Sequence, residues 1–266
     1  MEAPKATLTA RPRTIAGNTD TSMLKMIALV SMIIDHIGVA YWPALEMRVI
    51  GRIAMPLFVW CLVVGTEYTH NAFRYALRLF ILGVISQPLY IMVLGATWTH
   101  LNILFLLCLG VLAIAGIQKK WYYSQYWAPA LCLLVTLTIN IDYGWEGLLF
   151  ILAMYSVRYS KGGITATFLA AAVIWGYSSY AVPGLFGYTF TFLNQNIFAP
   201  LLRLFFQVQS LMWLALPFIL IRTHSGLKLP KWLGYGVYPL HLLALLIAGL
   251  FLGTPLQAFI DTLKVL

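Results

Sequence analysis

The chain has 266 residues, of which 61% are hydrophobic, 15% aromatic and only 9% charged. Soluble domains keep roughly a quarter of their residues charged, so this composition excludes an ordinary globular fold, a disordered chain and a small disulfide scaffold. The 17 Lys and Arg against 8 Asp and Glu leave a formal charge of +9, an excess that in a membrane protein marks cytoplasmic loops rather than nucleic-acid binding.

In chain order, residues 1–22 are polar, Thr-rich and basic, with no apolar stretch of signal-peptide type, and read as a disordered cytoplasmic tail. Nine apolar runs follow: Met23 to Trp42, Gly51 to Tyr68, Leu77 to Ala96, Leu101 to Gln118, Tyr122 to Ile141, Tyr143 to Tyr159, Ile164 to Ala181, Leu204 to Ile221, and Trp232 to Leu252. Each is about long enough to cross a bilayer. The expectation is an all-α, polytopic integral membrane bundle over residues 23–252, with residues 253–266 as an interfacial C-terminal tail. With the N-terminus in the cytoplasm, 13 of the 17 basic residues fall on the inner side, which favours that orientation and a multi-pass protein of the bacterial inner membrane. Cys61, Cys108 and Cys132 lie far apart inside apolar runs without CxxC spacing, so they read as packing residues and no metal site is expected.

Ionisable groups inside apolar spans are expensive and therefore informative. On the first span, Lys25 and His36 are eleven residues apart. Eleven steps of about 100° return to within ~20° of the starting direction, so both face one side about 16 Å apart. Asp35, next to His36, diverges from it by about 100° and is not a natural partner. A structural imidazole bonded to another helix is the alternative reading of His36. The second concentration is Gly51-Arg52-Ile53-Ala54-Met55-Pro56-Leu57-Phe58. Arg52 cannot lose its proton, so it needs Glu46, Asp35 or a substrate oxygen, unless it snorkels to the interface. Pro56 suits a helix that starts irregularly. Asn102, Asp142, Tyr143 and Glu146 recur on the outer side, as do Asn194 and Asn196 in an uncharged aromatic loop over residues 182–200 that suits a re-entrant lid. His241 lies at mid-depth of the last span beside Pro239, as much a structural as a functional candidate. His70, His100 and His224 sit at loops or span ends and take no role.

Taken together, Lys25 through Ile34-Asp35-His36, Gly51-Arg52-x-x-x-Pro56-Leu57-Phe58 with Gly65 beyond, Leu101-Asn102-Ile103-Leu104-Phe105, Tyr143-Gly144-x-x-Gly147-Leu148, and Tyr238 with His241 resemble the TraX family of conjugative-pilus assembly acetyltransferases. The similarity runs from about residue 24 to 250. The basic-residue-x10-His spacing is also similar to the wider class of membrane acyltransferases, in which Arg usually stands where this chain has Lys25.

The resemblance implies an inner-membrane enzyme that moves acetyl from cytoplasmic acetyl-CoA to the N-terminal amine of a membrane-inserted pilin or similar acceptor on the outer side. On that reading Lys25 holds the coenzyme phosphates, and the pantetheine arm runs along the bundle to His36, the general base or acyl carrier. Asp35 steadies the imidazole and Arg52 or Asn102 supplies the oxyanion contact, while Tyr143, Glu146 and His241 line the substrate site. Acetylation of a glycan or small-molecule hydroxyl or amine, a small transporter, and a non-catalytic assembly factor are the competing expectations.

Overall fold

The computed structural model describes residues 14–252 except 178 and 196, and the side chains of 194, 195, 231 and 232 also fall outside it. The readings placed on residues 1–13, on 253–266, and on the side chains of Asn194 and Asn196 therefore lie outside the described residues. The described residues are mostly helical. α1 (Thr21–Ala40) is capped by Asp20, whose carboxylate accepts the Met23 N–H, and is followed by α2 (Leu45–Gly51), α3 (Ala54–Tyr68) and α4 (Ala72–Leu94). α5 (Ile103–Lys119) leads through a 3₁₀ turn at Trp121–Tyr123 into α6 (Ser124–Thr138), α7 (Gly144–Val157) and α8 (Lys161–Tyr177). A two-residue hairpin then pairs β1 (Gly184–Leu185) antiparallel with β2 (Tyr188–Thr189), Gly184 opposite Thr189. Short helices α9 (Phe192–Gln195) and α10 (Ala199–Phe205), a 3₁₀ segment at Ser210–Ala215, α11 (Leu216–Leu220) and the long α12 (Lys231–Leu252) complete it.

Among the described residues, four helical stretches are long and apolar enough to cross a membrane: Thr21–Ala40, Leu45–Tyr68, Ala72–Leu94 and Leu233–Leu252. They coincide with four of the expected spans. α5, α6, α7 and α8, at 17, 15, 14 and 17 residues, are shorter than the ~20 needed to cross a ~30 Å core upright. The expected span Leu204 to Ile221 is not one helix. α10 stops at Phe205, the chain bridges to Tyr180 and Val182 through residues 206–208, and the helix resumes as a 3₁₀ turn and α11, where Pro217 fits the first turn.

α3 sits at the centre. It is apolar all round and buried on every side, as such a helix must be, with Leu57, Val59, Trp60 and Val63 fully enclosed. α1, α5, α7 and the Ser210–Ala215 turn pack against it. Residues 14–20, expected to belong to the polar tail, are built into this core. Gly17 lies against Trp60, and the Trp60 indole N–H donates to the Asn18 carbonyl at 2.7 Å. Asn18 itself is fully buried and bonds Phe218, Ile219 and Thr223. Composition hid this because one buried asparagine side chain and several backbone groups do the tethering.

The α2–α3 break is local chemistry. Pro56 occupies the third position of α3, where its missing N–H is least costly. Gly51, at the end of α2, lies so close to α1 that a Cβ there would overlap the Asp35 side chain. At the same end of the bundle, the α4–α5 and α6–α7 connections join: the Leu101 N–H donates to Asn140 O at 2.9 Å and the Asp142 N–H to Leu101 O at 2.8 Å. That junction brings Asp142 and Tyr143 inward toward α1 and α2.

Candidate functional site

A cavity of about 740 Å³ runs along the inner face of α1. Ser22, Lys25, Tyr75 and Arg78 line one end; Asp35, His36, Arg48, Arg52, Asp142, Tyr143, Glu146 and Gln209 line the other. Lys25 and His36 thus open into one space, and the helical rise still places them about 16 Å apart.

His36 is held from behind. Its Nδ1 lies 2.8 Å from Nε2 of His241, the two rings meeting edge to edge with centroids 5.0 Å apart and planes 25° apart, while His241 Nδ1 lies 2.9 Å from the Val237 carbonyl. A carbonyl only accepts, so His241 carries its proton on Nδ1 and presents the bare Nε2 to His36. His36 must then donate from Nδ1. Its Nε2 lone pair, which has no hydrogen-bond partner among the described residues, is left for whatever enters the cavity. His241 is buried, 7% exposed, behind this ring and does not line the cavity, so the structure gives it a positioning place rather than the substrate contact expected from sequence.

Asp35 turns away from His36. It accepts from Arg48 Nη1 at 2.8 Å and from Arg52 Nη2 at 3.2 Å. Arg52, 8% exposed, also donates from Nε to the Arg48 carbonyl and from Nη1 to Gln209 Oε1 at 2.6 Å. Its guanidinium edges are therefore occupied. That is how a buried cation is made tolerable, and it leaves Arg52 as a brace more than a free oxyanion donor. Glu46, considered as its partner, instead accepts from the Phe186 N–H at 3.2 Å and ties α2 to the hairpin.

Asn102 does not reach the cavity. Its Nδ2 donates to Gly83 O and Gln87 Oε1, its Oδ1 caps Leu104 N–H, and it is fully buried. With both amide hydrogens used, the expected oxyanion role falls away: it is the N-cap of α5 stitched to α4. Tyr143 enters the site in the left-handed region at φ 63, immediately before Gly144 at φ 49, and packs against Trp175. Its hydroxyl makes no hydrogen bond among the described residues. Glu146, in the first turn of α7, accepts from the Trp175 indole at 2.7 Å.

Sequence reasoning missed Arg48, Gln209, Arg78 and Tyr75. Arg48 carried a signal, since four residues before Arg52 on a helix places both on one side. Gln209 had none, lying 157 residues from its partner. Among the described residues no group of His, Cys, Asp and Glu is arranged to hold a metal, and the three cysteines are buried and free.

Comparison with known proteins gives this geometry a setting. The family model described as TraX protein matches residues 20–248. The chain belongs to the TraX family. This TraX-family chain is 34% identical over 129 residues to an uncharacterized protein of Rickettsia prowazekii, covering 46% of the chain and 49% of that protein. It is 35% identical over 83 residues to a probable fimbrial assembly protein FimC of Dichelobacter nodosus, serogroup H1, covering 29% and 34%. The matches span about half the length of the first relative and a third of the second. No solved structure matches. The family match covers both the α1 histidine and its partner on α12.

Proposed function

We propose that this TraX-family chain is a multi-pass inner-membrane acetyltransferase, N-terminus inside and about nine membrane crossings, that moves acetyl from acetyl-CoA to the N-terminal amine of a membrane-presented acceptor. The family and the fimbrial assembly relative favour a pilus subunit as that acceptor. One observation carries the proposal: an imidazole whose tautomer is set by a second histidine presents a bare Nε2 to a cavity that extends to a cationic end.

Lys25 and Arg78 meet the phosphates of the donor at the cationic end, and the ~16 Å to His36 is spanned by the pantetheine arm. His36 Nε2 takes a proton from the acceptor amine as its nitrogen attacks the acetyl carbonyl. The Tyr143 hydroxyl and the uncommitted edge of Arg48 face the developing oxyanion. The C–N bond forms, the C–S bond breaks, and the departing thiolate takes the proton held on His36. His241 cannot pass that proton onward, because its other nitrogen faces a carbonyl.

The test is transfer or hydrolysis of labelled acetyl-CoA by the detergent-purified protein. His36→Ala is expected to lose activity by ~10² to 10⁴ at unchanged expression. Full activity in that variant overturns the proposal, and an acetyl group trapped on His36 without acceptor replaces the general base by an acyl carrier.

A further inference from the structure

We infer that the acceptor reaches His36 as an extended peptide, through a second groove between the end of α1, the start of α2 and the segment before β1. This rests on the acetyltransferase reading above. The groove, about 570 Å³, is lined by Gly38, Pro43, Ala44 and Ala181 among others, and it shares two lining residues, Val39 and Arg48, with the main cavity. Val39 stands three residues past His36 on α1, one step of about 4.5 Å along the same face. A chain end that passes between Val39 and Arg48 therefore arrives within one helical turn of the base.

The chemistry of the groove selects a peptide. Among the described residues Arg48 is the one charged residue lining it, so it suits an uncharged chain. Residues 180–182 are extended and pair on one edge only: the Val182 N–H donates to Phe206 O at 2.8 Å and the Val208 N–H to Tyr180 O at 3.0 Å, with Ala181 bridged antiparallel to Gln207. In that pattern the N–H and C=O of Ala181 itself point away from residue 207. Neither makes a hydrogen bond among the described residues, and Ala181 is exposed on the groove side. This is a strand edge open to one more strand. At the inner end, Arg48 spends only Nη1 on Asp35, and its remaining N–H groups make no hydrogen bond among the described residues, so they suit a peptide carbonyl. The wall is rigid, since Val49, Val182, Val208 and Leu211 pack behind it and Glu46 pins the hairpin to α2.

The experiment uses the full chain in detergent and, as probe, an alanine hexapeptide with a free amino terminus and a C-terminal fluorophore. Ala181→Trp and, separately, Ala44→Trp fill the groove. Each is expected to raise KM for the peptide at least tenfold while KM for acetyl-CoA stays within twofold, whereas Leu131→Trp, far from the groove, changes neither. Unaltered peptide KM in both groove variants overturns the inference. Photo-crosslinking from a benzophenone on Ala181→Cys gives an activity-independent readout: labelling by the hexapeptide upholds the groove, and labelling by lipid alone overturns it. A wild-type protein that crosslinks the peptide but never turns over acetyl-CoA overturns the enzymatic reading and keeps the peptide groove.

Discussion

Replacing His241 by alanine removes the acceptor that holds His36 Nδ1–H and leaves a buried donor unpaired. Such a loss costs about 1 to 3 kcal/mol. Here it falls on the catalytically competent tautomer and ring orientation, because the in-plane bond to His241 also holds the plane of His36 at 25° to that of its partner. At about 1.4 kcal/mol per tenfold, kcat should fall by about 5- to 150-fold, less than removal of His36 itself. KM for acetyl-CoA should stay within twofold, since His241 lies behind the cavity wall. His241→Gln can return an oxygen near the lost Nε2 and should recover part of the rate. The assay is steady-state transfer from labelled acetyl-CoA, with the folded fraction of each variant measured by thermal unfolding in the same detergent. An unchanged kcat in His241→Ala, or a rise in KM without a fall in kcat, would refute the positioning role.

Arg52→Ala leaves Asp35 with Arg48 alone and should destabilise the detergent-solubilised protein by about 3 kcal/mol, the low end for breaking a buried pair; Arg52→Lys keeps the charge but loses the Gln209 and Arg48 carbonyl bonds, and its melting temperature should fall between the two. Asn102→Ala should cost about 1 to 2 kcal/mol as a lost cap while leaving both KM values unchanged at a temperature where the variant is folded. Gly51→Ala should be poorly tolerated, with about 1 to 3 kcal/mol lost to the overlap with Asp35, seen as a lower melting temperature. Hydrogen bonds led by Ser225, and joined by Met23 N–H and Thr223, hold the Asp20 carboxyl below its ordinary 3.8. A carboxyl lowered on folding stabilises above its unfolded value and loses that contribution as pH falls through its folded one. The melting temperature of Asp20→Asn should therefore lie below wild type at pH 6 and converge with it below about pH 4.

The helical class and the four long apolar helices were legible from the length of apolar runs, and the α1 face shared by Lys25 and His36 from helical periodicity, because each is a property of one segment. Long-range pairings were not. The His36–His241 bond joins residues 205 apart, and nothing in either local pattern distinguishes His241 as a support from His241 as a ligand of substrate. Asn102 misled for a related reason: a buried asparagine is equally at home as a cap or as an oxyanion donor, and only its partners on α4 decide. The broken stretch at 204–221 reads as one apolar run because hydropathy is blind to a backbone that leaves the helix to pair with residues 180–182.

The burial of residues 14–20 bears on how the chain can be divided. The family match begins at residue 20, yet Ala16 donates to Arg158 O at 2.9 Å, Arg222 donates to Ile15 O at 2.6 Å, and Asn18 ties Trp60 to α11. A truncation placed at the first helix would unfasten three distant parts of the molecule in a single cut. Expression boundaries and fused tags belong upstream of residue 14, where this inner clasp is spared.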